Sequence, residues 1–223
     1  MDLTQTQKRI LDIFTKSGLV ERFYWTGGTL LSHIYLHHRK SLDLDLFSEK
    51  LFSYSDLLPF LNDIKKSLNT SIVEEKIHDR WEFTIKSPEE TRIEFVYYNH
   101  EKKRLSPLKK ESGILIDSLK DIAANKLMAY FDRNEPKDLT DIYFLMTKKK
   151  FRPSYLLKLV NQKFGSSFSE FMFWSESAKA LRILDSVKPL LIGSEQSQKK
   201  LLEKIRQFFL EGSATFLKKQ FDS

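Results

Sequence analysis

The stretch Trp25-Thr26-Gly27-Gly28-Thr29-Leu30-Leu31, followed by Ser41-Leu42-Asp43-Leu44-Asp45-Leu46-Phe47, decides how this chain folds. The β-prone run Phe23-Tyr24-Trp25-Thr26 ends at paired glycines. A helical pattern follows over residues 29–38, with Leu30, Leu31, Ile34 and Tyr35 inward. Residues 42–47 then alternate apolar and acidic side chains, the period of a strand. Residues i and i+2 of a strand share a face, with Cα atoms about 6.5–7 Å apart. Carboxylates on an apolar strand are costly unless they are paired or bind a metal. Asp43 and Asp45 therefore suit one divalent metal centre.

Working outward, residues 4–17 read as an amphipathic helix stopped at Gly18, and residues 55–68 as another. Strands are expected near 71–77, 80–86 and 91–98, the last two joined by Ser87-Pro88-Glu89-Glu90. Residues 101–113 are polar, basic and turn-rich, and read as a linker or a nucleic-acid contact. Beyond Ser118 helices are expected near 118–131, 137–147, 153–163, 168–173, 176–185 and 196–210. The pattern predicts an α+β chain: a small mixed sheet flanked by helices over 1–113, and a mainly α-helical region over 114–223.

Composition bounds the class. With 41% hydrophobic and 30% charged residues the chain is a soluble globular protein rather than a disordered or membrane-embedded one. It has no run of 18 or more apolar residues and no signal-like N-terminus, so no membrane span is expected. The absence of cysteine excludes disulfides and thiolate metal sites and fits the reducing cytoplasm. A net charge of +7 suits either a lysine-rich solvated surface or a polyanionic partner such as nucleic acid.

A hard cation needs more oxygen than two aspartates supply, and Mg²⁺ takes water and substrate phosphate as well. Glu94, in Thr91-Arg92-Ile93-Glu94-Phe95, lies mid-strand among apolar neighbours and is the candidate third carboxylate. A bare Asp-x-Asp is common, and alternate charges on a half-exposed strand are ordinary. The glycine pair upstream is what sets this one apart. Gly27-Gly28 turns tightly and lets phosphate approach the backbone amides at a helix start. His33 and His37 stand four apart but lack a third ligand, and read as surface or substrate-contact residues.

These motifs, with Arg39 and Ser41 ahead of the acidic pair, resemble the AbiEii/MenT nucleotidyltransferase toxins of the DNA polymerase beta-like superfamily. A second match is Ala124-Asn125-Lys126-Leu127-Met128-Ala129, Arg133, and Pro136-Lys137-Asp138-Leu139-Thr140-Asp141. The resemblance covers residues 20–50 and 120–146; Glu94 replaces the usual Asp, and Lys137 a frequent Arg. It implies an enzyme that transfers NMP from an NTP to an acceptor hydroxyl, using two Mg²⁺ ions. Asp43, Asp45 and Glu94 would then bind metal. Gly27, Gly28, Thr29, Arg39, Ser41 and Lys126 would bind nucleotide, and Asp138 would organise the site, with Asp141 on the same helix face. It further implies a toxin–antitoxin or phage-defence role, tRNA as acceptor, a cognate antitoxin, and a helical region that completes the site and binds acceptor. A protein or small-molecule acceptor, or a catalytically silent binding protein on the same fold, remain the alternatives.

Overall fold

The computed structural model describes residues 3–86, 89–98 and 104–222. The chain forms two compact units, Met1–Leu119 and Lys120–Ser223. The first begins with α1 (Gln5–Lys16), which starts at a reciprocal capping box between Thr4 and Gln7. Strand β1 (Tyr24–Thr26) runs into α2 (Gly27–Leu30), which continues as a π-helical turn over Leu31–Leu36. The wider turn rotates the inward face. Ser32 and Leu36 are buried there, whereas Ile34 and Tyr35, expected inward, are only half-buried.

Strand β2 (Asp43–Ser48), helix α3 (Tyr54–Leu68) and strands β3 (Ile72–Ile77), β4 (Arg80–Ile85) and β5 (Thr91–Tyr97) follow. The chain then adds β6 (Lys109–Glu111) and β7 (Ile114–Ile116). The seven strands form one mixed sheet in the order β3-β4-β5-β2-β1-β7-β6. The expected linker over 101–113 therefore includes a strand; its residues 101–103, like Ser87 and Pro88 of the expected turn, lie outside the described residues. All three β6 residues are exposed, so no alternation marks them. What closes the hairpin is Ser112-Gly113, both at positive φ, as a two-residue hairpin turn requires. The expected division after residue 113 falls inside this hairpin.

One sheet face is apolar. Leu44 and Leu46 of β2 pair with Ile93 and Phe95 of β5, and all four are fully buried. Phe95 is the hub: its ring lies 5.0 Å from Phe23, 5.8 Å from Phe60 and 6.0 Å from Phe83, in edge-on geometry. Phe14 of α1 meets Phe60 of α3 at 6.0 Å, so both helices cover this face.

The second unit is helical: α4 (Leu119–Arg133), α5 (Pro136–Lys148), α6 (Pro153–Phe164), α7 (Glu170–Arg182), a 3₁₀ turn (Leu184–Leu190) and α8 (Glu195–Phe221). Helices α5 and α6 open with proline at the first position, where no amide hydrogen bond is lost. The two short helices expected over 168–185 are one continuous α7, and α8 runs well past residue 210. A Cβ on Gly212 would lie 2.2 Å from the Trp174 ring, so glycine lets α8 close onto α7. Phe95→Ala should lower stability by about 3–5 kcal/mol, read as a shifted urea midpoint, because it empties the centre of an aromatic cluster.

Candidate active site

The glycine turn and the acidic strand are built as one object. Gly27 has φ +77°, and a Cβ there would sit 1.7 Å from Asp45 Oδ2. Both the backbone conformation and the close approach therefore demand glycine. The Thr29 hydroxyl donates a hydrogen bond to the Asp43 carbonyl and ties α2 to β2. The Gln7 amide, besides capping α1, donates to the Ser41 carbonyl at 2.9 Å and holds the approach to β2. Arg39 is buried and donates to the Lys40 carbonyl at 2.9 Å. Next to the turn, the Thr26 hydroxyl donates to Asp117 Oδ2 at 2.9 Å, and Tyr35 donates to the Asp117 carbonyl at 2.8 Å. Burial, with the Asp117 charge beside it, pushes the Tyr35 hydroxyl up to about 12. Asp117 itself is buried at the end of β7, and no sequence pattern marks it.

Strand pairing lines up the carboxylates. Asp45 on β2 is the register partner of Glu94 on β5, which is the partner of Glu82 on β4. Asp43 is the partner of Arg92. Paired residues share a face, so these side chains converge opposite the apolar core. Arg92 Nη2 lies 2.9 Å from Asp43 Oδ2 and 3.1 Å from Glu94 Oε1, and its Nη1 lies 3.6 Å from Glu82 Oε2. Arg80 reaches Glu82 at 2.9 Å and Glu94 Oε2 at 3.5 Å. Burial pushes the Glu94 carboxyl up, with Arg92 opposing the shift. For Arg92, burial alone would lower its pKa, but Asp43, Glu94 and Glu82 together drive it up.

Asp43 and Asp45 match the donor chemistry of a hard divalent cation: two oxygen ligands on one strand face, beside a glycine cradle that a Cβ would fill. Among the described residues no group of three or more His, Cys, Asp or Glu side chains is assembled to hold a metal. Glu94 instead turns one oxygen to each arginine. His37 is the left-handed cap of the π turn, and His33 stacks near Trp25 at 6.1 Å.

The second unit carries its own charged centre. Lys126 on α4 lies 3.1 Å from both Asp138 and Asp141 on α5. Arg133 also holds Asp138, at 2.8 Å. Both aspartates are fully buried, and Asp141, rated below Asp138 in the sequence reading, is an equal partner of the lysine. A further buried pair, Lys163 with Asp121 at 2.8 Å, joins α6 to α4. Sequence reasoning missed that pair, together with Arg80, Glu82 and Arg92. Arg80-x-Glu82 and Arg92-x-Glu94 were readable as same-face strand pairs; Asp121 and Lys163 are too far apart in the chain to signal each other.

Residues 9–216 match the nucleotidyl transferase AbiEii toxin family of type IV toxin–antitoxin systems. The chain belongs to that family. It is therefore a nucleotidyltransferase, and the match runs on through the helical tail, beyond the motifs legible in the sequence. This AbiEii family member is 28% identical over 169 residues to an uncharacterised protein of Aquifex aeolicus, covering 73% of the chain and 76% of that relative. Its fold is similar to that of JHP933 from Helicobacter pylori, with a TM-score of 0.56 and 18% identity over 100% of this chain and 99% of that one. It is also similar to MenT4, a nucleotidyltransferase toxin of Mycobacterium tuberculosis, with a TM-score of 0.50 and 12% identity over 92% and 81% of the two chains.

Two substitutions test the local geometry. Gly27→Ala should cost about 1–3 kcal/mol in urea unfolding, from strained φ and the displaced Asp45. Lys126→Met should cost about 3–5 kcal/mol by the same measurement, because it strands two buried carboxylates; Lys126→Arg should recover part of that loss.

Proposed function

We propose that this nucleotidyltransferase uses Mg²⁺ to transfer NMP from an NTP to a hydroxyl of tRNA, as the toxin of a toxin–antitoxin or phage-defence pair. The observation that carries the reading is the seating of Asp45 over the Gly27 turn, with Asp43 on the same strand face. Asp43, Asp45 and Glu94 are the residues that would hold metal, two ions when the site is full. The metal would supply charge neutralisation for the triphosphate and activation of the acceptor hydroxyl.

In the transfer, the acceptor oxygen attacks the α-phosphorus. The bond from that phosphorus to the β-phosphate bridging oxygen breaks, and pyrophosphate leaves. Glu94 polarises the acceptor hydroxyl, whose proton passes to solvent water as the new bond forms. Backbone amides at Gly27, Gly28 and Thr29 cradle phosphate, with Arg39 and Ser41 shaping that approach. Lys126 contributes a phosphate contact, and Asp138 orients it through their ion pair.

Charge distribution supports an RNA acceptor and a role for the helical region in holding it. Residues 142–169 contain no Asp or Glu, yet carry Lys148, Lys149, Lys150, Arg152, Lys158 and Lys163. Lys149, Lys150, Arg152 and Lys158 are exposed, and Phe151 and Tyr155 stand among them with rings 5.1 Å apart. Cations interleaved with aromatic rings suit phosphates and unstacked bases. No helix of the described residues is long and apolar enough to cross a membrane.

Labelled NTP incubated with total tRNA should yield labelled tRNA and pyrophosphate only when Mg²⁺ is present. Asp43→Asn should abolish the label while circular dichroism stays unchanged; retained transfer would refute the assignment. Label on protein or on small molecules instead would redirect the acceptor, and no pyrophosphate with any acceptor would mark a silent protein. The triple variant Lys149→Glu/Lys150→Glu/Arg152→Glu should raise KM for RNA about tenfold or more and flatten its salt dependence, with KM for NTP unchanged.

A further inference from the structure

The acidic row carries its own cation. Four carboxylates, Asp43, Asp45, Glu82 and Glu94, share one sheet face with two guanidiniums, Arg80 and Arg92. The two arginines are not equivalent. Among the described residues Arg80 forms ion pairs only with Glu82 and Glu94, at 2.9 and 3.5 Å, whereas Arg92 also takes Asp43, the first of the aspartate pair. A single nitrogen of Arg92, Nη2, bridges Asp43 and Glu94, two groups that a metal would have to share. Its other terminal nitrogen, Nη1, faces Glu82 at 3.6 Å. Within the row the Glu82 and Glu94 side chains are 10% and 11% exposed, whereas those of Asp43 and Arg92 are 34% and 38%, so the Asp43–Arg92 contact is open to solvent on both sides.

We propose that Arg92 is a resident counter-cation and positioning residue of the acidic site. It neutralises Asp43 and Glu94 while no metal is bound and must release them before a divalent ion can enter. Glu82 is the carboxylate that keeps hold of Arg92 through Nη1 after that release. Register sets the arrangement: Arg92 is paired with Asp43 across β2–β5 and stands two residues from Glu94 on β5, on the same sheet face. The consequence is regulatory. Metal affinity is set by competition with a tethered cation, so the enzyme would respond to divalent-ion concentration over a higher range than the bare carboxylates would.

This inference rests on the metal-dependent reading above, and its test separates the two. Mn²⁺ is the probe, and free ion is measured by electron paramagnetic resonance on the full chain, with urea midpoints confirming that each variant folds. Arg92→Gln should bind Mn²⁺ about tenfold more tightly or better, equivalent to roughly 1.4 kcal/mol. Arg92→Lys keeps the charge but loses the planar fork, and should tighten binding severalfold. Arg80→Gln removes the same charge without freeing Asp43 and should change affinity less than threefold. Glu82→Gln should weaken binding, since Arg92 then has no other carboxylate to hold it. Equal gains in Arg92→Gln and Arg80→Gln, or an Arg92→Gln protein that binds no better than wild type, would overturn the counter-cation role alone. No Mn²⁺ binding by wild type or by any variant would overturn the metal reading along with it.

Discussion

Parallel pairing of β2 with β5 is the constraint on which the first unit depends. A single register places Leu44 and Leu46 against Ile93 and Phe95 on one face, and Asp43 and Asp45 against Arg92 and Glu94 on the other. A slip of β2 by one residue would turn Asp43 and Asp45 into the aromatic core and Leu44 and Leu46 out of it. The buried hydrophobic face therefore enforces the acidic one: the packing energy of the Phe95 cluster specifies which carboxylates meet.

An acidic row of this kind is expensive, and the molecule offsets the cost in two ways. Within the sheet, Arg80 and Arg92 give Glu82, Glu94 and Asp43 partners in a partly desolvated setting. In the helical unit, Lys126 and Arg133 do the same for Asp138 and Asp141. Such pairs contribute little net stability compared with apolar packing, whereas removing one partner is costly.

Much of the architecture was legible because local patterns agreed with the tertiary result. Alternation marked β2, and the 3.6-residue period marked α1 and α3. Where reading failed, the deciding force was not local. Strand β6 has no buried face and is recruited by β7 through a two-residue turn. The π turn after Leu30 buries Ser32 and Leu36 in place of Ile34 and Tyr35, a rotation invisible to a helical template. Helix α7 runs unbroken through a span that reads as two pieces.

By itself the sequence determined the glycine turn and the Asp43–Asp45 pair on one strand face, because each is a short-range pattern whose spacing dictates its geometry; the Lys126…Asp138 segment was legible through the family resemblance. It also determined the family, through those same motifs. Only the tertiary structure decided which charges meet. Arg92 closes on Asp43, 49 residues away in the chain, and Lys163 on Asp121, 42 away, because strand register and helix packing bring them together. Composition held all of these groups, but pairing between distant charges is a property of the folded surface they share.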